Sequence, residues 1–358
     1  MALSDLWALE MIIAAFAGGA FGAAIGALPV FIFTGFMVIA GEAANLASRS
    51  LGNVIDADPN ALGSVGITGA VAFGVPFSPA ISFAGGAAAA AYAANRGYID
   101  SGFDYHKAKD IGFALGSKPD VLAVGGIFGI IGYWLTVLSA SFSMPYDHIA
   151  MGVTLSALLH RVVFGYDIIG KVYGDGLFDM TPFERGETRG EAAAGGQAVT
   201  DGGDDEDLLA VEPWLPNMYK WGEVAAISAV VGIVAAYIAL ATGSAFLAFG
   251  ISAATLFFLN LGVERIPVTH HMALPASTAA LAWTSGAAEL GVVALIIGAI
   301  FGVICGLFGE AFQRVFYSHG STHWDPPAAA IVFGTFLIAM LAIAGIFPSS
   351  SWVATLGM

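Results

Sequence analysis

The chain has 358 residues, 58% of them hydrophobic and only 11% charged, with a mean hydropathy of +0.81. A soluble domain carries roughly 25% charged residues, so water is not the main solvent for this sequence. The net charge of −15 comes with twelve bases and no basic patch, which excludes a nucleic-acid surface, since that needs phosphate-pairing Lys and Arg.

Several apolar runs of 18 or more residues suit a bilayer core ~30 Å thick. The expected fold is all-α, a polytopic transmembrane helical bundle in contact with lipid. The 47 glycines fit close helix packing in lipid, where small residues let backbones approach. Cys305 is the single cysteine, so no intrachain disulfide or cysteine-based metal site is expected. Dense carboxylates with few lysines suit a high-salt cytoplasm and point to a halophilic archaeal source.

Residues 7–48 are too long for one crossing, and Pro29 beside Gly26 offers a break between helices near 7–28 and 30–48. The N-terminus lacks a basic n-region and reads as a retained span. A polar piece, 48–59, leads into the short segment 60–76, rich in Gly, Ser64 and Thr68. An alanine-rich helix follows at 80–96, then a polar clasp, 97–120, holding His106, Asp110 and Asp120. Spans are expected at 121–141 and 148–166, the latter apolar apart from His148, His160 and Arg161.

Residues 167–221 form the one long hydrophilic stretch. Asp175 to Glu212 contains 11 acids against Arg185 and Arg189, and 191–207 reads as disordered linker. Spans near 222–241 and 243–263 precede a short Pro-interrupted segment, 271–287, led by His270 and His271 and carrying Ser277 and Thr278. The run 288–313, a second clasp, 314–327, and a last span, 328–347, complete the chain. Trp7, Trp214, Trp221 and Trp324 read as interfacial anchors. Glu10, Glu42, Glu289 and Glu310 fall near the ends of spans, and Arg161 is placed to snorkel outward.

Matching features recur at an offset near 213: Glu10 and Glu223, Pro29 and Thr242, Ala61 and Ala273, His106 and His319. An internal duplication is expected. It gives a first repeat with an extra span (1–166), the acidic linker (167–221) and a second repeat (222–358). Basic residues put both clasps and the linker inside. Counting spans then puts the N-terminus inside and the C-terminus outside. The result is eleven spans, or nine if 60–76 and 271–287 re-enter, in two parallel repeats.

The second clasp sets His319 and His323 four residues apart with Asp325 two further on, a set able to share a divalent metal or relay a proton. Equally, a short loop must be hydrophilic, and Asp325-Pro-Pro fits a helix cap and first turn. Helices broken at corresponding places in two repeats point to a binding site, here Ser64 and Thr68 with His270, His271, Ser277 and Thr278. Walker, Gly-x-Ser-x-Gly and His-Glu-x-x-His patterns are absent, and no motif identifies a cofactor. The leading expectation is a channel or secondary transporter for a small ion or polar solute, running between the repeats, possible as a homo-oligomer. Two alternatives stand beside it: a membrane-embedded metal- or proton-handling enzyme or energy-converting subunit, and a structural, assembly-forming membrane protein.

Overall fold

The computed structural model describes residues 2–55, 66–194, 207–286 and 290–358. Every long element is a helix, and among the described residues the only β-type pairing is an isolated bridge between Thr188 and Leu209. The chain forms α1 (Leu9–Ile25), α2 (Ala27–Ile55), α3 (Ser82–Asn95), α4 (Pro119–Ser141) and α5 (His148–Phe164). Short helices α6 (Thr181–Glu184) and α7 (Arg189–Ala194) lie in the linker. Then come α8 (Trp221–Thr242), α9 (Leu247–Ala254), α10 (Leu256–Asn260), α11 (His270–Trp283), α12 (Val292–Phe316) and α13 (Pro326–Ile343).

Five helices are long and apolar enough to cross a membrane: α2, α4, α8, α12 and α13. Three further apolar stretches are shorter: α1, α5 and Leu247–Asn260. On α8, Val230, Ile233, Val234 and Tyr237 face outward, and on α12 so do Val293, Ile296 and Ile300. That three-to-four spacing makes continuous exposed apolar stripes, as lipid contact requires.

Several boundaries differ from the sequence expectation. The first break falls at Gly26, whose φ of +98° suits glycine, and Pro29 sits within the first turn of α2. The span expected at 243–263 is broken at Thr255 into α9 and α10. The described part of 60–76 is a single wide turn, Thr68–Ala72, followed by irregular backbone up to α3. The linker is not a loose acidic tether at its ends, because α6, α7 and the Thr188–Leu209 bridge order the described parts. Most of the 191–207 stretch, and Ala61 and Glu289, lie outside the described residues.

Contacts at helix ends fix the direction of travel. Tyr133 and Trp134, late in α4, donate to the carbonyls of Asp5 and Leu6 ahead of α1. At the other end, Gly116 N donates to Ala24 O and Leu28 N to Ile111 O. This end, where α1 finishes and α4 begins, holds the first clasp. The second clasp lies beside it, since His323 N reaches Ala108 O. α12 therefore finishes at the clasp end, and Arg314 in its last turn donates to Tyr219 O just before α8. So α8 starts where α1 stops, and the two run in opposite directions. The expected parallel repeats would set α1 and α8 in one direction, and these two helices are antiparallel. Among the described residues, 66–95 runs once from the far end to the clasp end, where two spans were expected. The N-terminal segment thus lies at the far end, opposite the linker. The last residues lie there too, with Leu356 N on Ser143 O.

Two glycine seams are built alike. A Cβ on Gly19 would fall 2.2 Å from Gly125 O, and one on Gly129 would fall 2.5 Å from Ala15 O. On the other side, a Cβ on Gly232 would fall 2.3 Å from Gly298 O, and one on Gly302 would fall 2.4 Å from Ser228 O. Thus α1 is pressed on α4 as α8 is on α12. The α1 and α8 positions differ by 213 residues but the α4 and α12 positions by 173 (Gly125 and Gly298). The offset of 213 is therefore not constant. It pairs the first clasp, between α3 and α4, with the second, between α12 and α13, which occupy different places in the helix order.

Behind each seam sits a short buried helix of 14 residues, α3 against α1, α4 and α5, and α11 against α8, α12 and α13. At ~1.5 Å per residue each is only ~21 Å long. Alanine fills most of α3 and is the commonest residue of α11. In α11, Pro275 packs against Gly334, where a Cβ would meet its ring at 2.8 Å. The two sets of helices meet through α2 on α9 and α5 on α13.

Candidate functional site

A cavity of about 890 Å³ lies between the two sets. Its walls come from α2 (Leu28, Phe31), α3 (Phe83), α9 (Phe249), α11 (His270, Leu274) and α13 (Ala328, Ile331). Aromatic rings dominate: Phe31 lies 5.9 Å from Phe83 and 6.0 Å from Phe249. The exposed lining residues, Asp104, Pro216 and Asn260, all belong to the clasp end. Towards the far end, Phe246 is packed edge-on against Phe73 (5.3 Å) and tilted against Trp352 (5.2 Å). Trp352 is held there by a 3.0 Å bond from Nε1 to Thr278 Oγ1.

Of the residues singled out in the sequence, Asp110, His270, His323 and Asp325 line this cavity. Asp110 accepts from Ser101 Oγ at 2.6 Å. Asp325 caps α13 through Ala328 N at 2.8 Å and bonds His323 Nε2 at 3.1 Å. His270 packs 4.9 Å from Phe31, and its Nδ1 has no partner among the described residues.

The others lie elsewhere. His319 does not join His323, because the clasp is not helical; its Nε2 faces Leu177 O at 3.4 Å. Burial holds its imidazole below the ordinary histidine range. Among the described residues, no three His, Cys, Asp or Glu side chains are grouped to hold a metal ion. His106 opens the turn Lys107–Lys109, accepting from Ala108 N at 3.2 Å. Asp120 accepts from Tyr92 Oη at the surface, and His148 bonds Met144 O. His271 packs on Trp214, and Ser277 and Thr278 bond back to Leu274 O. Ser64 lies outside the described residues.

The second clasp is in large part a cage for Arg161. That side chain does not snorkel outward; it is fully buried. It donates to Thr322 Oγ1 (2.8 Å), Thr322 O (2.9 Å) and Ile168 O (2.5 Å), and lies over the Trp324 ring at 5.1 Å. His160 shares the same Thr322 hydroxyl at 3.1 Å. A guanidinium offers several fixed donors, which explains why a Thr carbonyl and hydroxyl converge on it. Trp324 is therefore a buried partner and not an interfacial anchor, and Trp214 lines the cavity, whereas Trp7 and Trp221 are exposed.

Three buried arrangements lay outside the sequence expectation, which placed Glu42 only near the end of a span. First, Lys109 and Glu212 form a wholly buried ion pair at 2.6 Å, with Arg189 3.5 Å from the same carboxylate. Burial lowers the Lys109 ammonium to about 8, although Glu212 pulls it upward. Second, Glu42 is buried. It accepts from Thr68 (2.7 Å) and Ser244 (2.5 Å), so it ties α2 to the start of α9 at the far end. Third, the aromatic wall itself comes from residues far apart in the chain, Phe31 on α2, Phe83 on α3 and Phe249 on α9. The available signals were weak: Glu212 sits in the apolar stretch Ala210–Leu215, unlike the other linker acids, and Glu42 interrupts an apolar run.

An all-helical chain with five helices fit to cross a membrane and a ring-lined cavity between two sets of helices is the class this structure defines. The chain belongs to a family of unknown function (DUF7973), whose model matches residues 1–356. No curated protein and no solved structure matches it.

Proposed function

We propose that the protein is a multi-pass membrane transporter of the alternating-access kind. In this reading α1–α5 and α8–α13 are inverted repeats of one five-passage unit, giving ten passages. The two like-built glycine seams, the paired short helices α3 and α11, and the opposite directions of α1 and α8 support the duplication. Inverted repeats with interrupted helices at the substrate site are a recurring plan among secondary transporters.

The observation that carries the reading is the cavity, with its exposed residues at the clasp end and aromatic packing and the Glu42 contacts at the far end. Such a chamber is one of the two states that rocking of one repeat on the other requires. Every lysine and arginine except Arg49 belongs to the clasp end or the linker. By the bias of bases toward the cytoplasm, the clasp end is cytoplasmic and both ends of this chain lie outside.

The test uses Phe246→Cys in a Cys305→Ser background, reconstituted with known orientation. A charged methanethiosulfonate reagent should modify the floor cysteine from either face, because each state exposes it to one side. Reaction from the clasp face alone would contradict transport and leave a one-sided binding protein.

A further inference from the structure

We infer that the cavity binds a neutral, largely apolar molecule carrying one hydroxyl or carbonyl oxygen, which bonds to His270. The inference deepens the transport reading and rests on it only for the fate of the ligand, not for binding. The volume of about 890 Å³ lies within the ~300–1,000 Å³ of small-molecule pockets. The wall is aliphatic and aromatic, with Phe31 and Phe249 against His270 and Phe83 beside Phe31.

Apart from Asp104, exposed at the mouth, the charged groups of the lining already hold hydrogen-bond or ion-pair partners. Lys109 is paired with Glu212, Asp325 with His323 and Ala328 N, Asp110 with Ser101, and Asp147 with Ile149 N and Ala150 N. An ion moving in to the aromatic wall would lose water against Phe31, Phe83 and Phe249, which carry no charge to replace it, a cost of several kcal/mol. A neutral apolar body loses nothing comparable.

His270 differs from the other histidine of the lining. The Nδ1 of both His270 and His323 is buried without a partner among the described residues. His323 bonds Asp325 through Nε2, whereas no ring hydrogen bond of His270 is found among the described residues, and the residue is 5% exposed. A buried polar group without a partner is costly, and a ligand oxygen or hydroxyl supplies what the wall lacks. Polar groups placed singly in apolar pockets fix ligand orientation and reject analogues lacking the matching group.

The experiment measures binding of tritiated farnesol to the full chain in nanodiscs, against empty nanodiscs, with the alkane 2,6,10-trimethyldodecane and farnesoate as competitors. Saturable binding is expected, displaced by unlabelled farnesol at about tenfold lower concentration than by the alkane or the carboxylate. His270→Phe, which keeps a ring but no hydrogen bond, should remove that preference, and His270→Asn should restore part of it. Equal competition by the alkane, stronger competition by farnesoate, or an unchanged preference in His270→Phe would overturn the inference. Should His270→Phe not fold, the competitor order on the unmodified protein still decides. Binding with one-sided cysteine reactivity would defeat transport and keep this site; two-sided reactivity with no saturable farnesol binding would do the reverse.

Discussion

Lys109 Nζ lies 2.6 Å from Glu212 Oε2, with neither side chain exposed, although 103 residues separate them. The pair fastens the end of the acidic linker onto the first clasp. Glu212 Oε1 also accepts from His106 N at 3.1 Å, and Glu212 N donates to Ser318 O in the second clasp. One glutamate therefore joins linker and both clasps at the mouth of the cavity.

Removing one partner should be worse than removing both. Glu212→Gln leaves a buried ammonium without its counter-charge, at a cost of about 3–5 kcal/mol. Lys109→Met with Glu212→Gln should recover part of that loss. Thermal unfolding of the two singles and the double in detergent measures the coupling, and additive losses would mean that the pair does not act as a unit.

The same lysine sets a pH dependence. Burial brings its ammonium down to about 8 in the fold, from the ordinary lysine value of 10.5 in the unfolded chain. Between those limits the unfolded chain binds more protons, so this group's contribution to stability rises with pH, and below about 8 it is flat. The difference in melting temperature between wild type and Lys109→Met should therefore shift in favour of wild type from pH 8 to pH 10. A shift in the opposite direction would show that the ion pair outweighs burial.

Both glycine seams should resist the smallest enlargement. Gly19→Ala and Gly302→Ala each push a methyl into backbone atoms 2.2–2.4 Å away, which a helix pair cannot relieve without separating. Each should cost at least the ~1–3 kcal/mol of ordinary overpacking. Gly222→Ala meets nothing within 4 Å and should be neutral. Melting curves in detergent decide; tolerance at one seam and not the other would weaken the argument that the seams are copies.

Glu42 should hold the far end shut. Glu42→Ala removes the acceptor for Thr68 and Ser244, leaving two buried hydroxyls to find other partners, at ~1–3 kcal/mol for each group left unsatisfied. In the Phe246→Cys background, far-side modification should speed up by about tenfold or more, the equivalent of ~1.4 kcal/mol. An unchanged rate would remove Glu42 from the gate.

The helical membrane-type character was readable because it is a property of runs: α4, α8, α12 and α13 lie close to expected spans. Direction was not readable, because it hung on whether 60–76 and 80–96 make one passage or two, and Gly-rich sequence there fits either. The offset near 213 rests on Glu10 and Glu223, Pro29 and Thr242, Ala61 and Ala273, and His106 and His319. The seam glycines keep 213 between α1 and α8 but stand 173 apart in α4 and α12, so extending 213 to the clasps paired loops at different places in the helix order. Asp325 as helix cap followed from Asp-Pro-Pro chemistry. The aromatic wall could not be found, since Phe31, Phe83 and Phe249 look like ordinary lipid-facing residues until folding places them together. Glu212 and Arg161 were assigned to water for the converse reason: partners more than 100 residues distant satisfy them.

Opposite insertion of the two halves is the central claim, and labelling of intact cells tests it most directly. Ser4→Cys and Arg185→Cys, both at exposed positions, would each be placed in the Cys305→Ser background and treated with a membrane-impermeant maleimide. Ser4→Cys should label in intact cells, and Arg185→Cys only after permeabilisation. Labelling of both from the same face would contradict an odd number of passages before the linker, and with it the inverted pair.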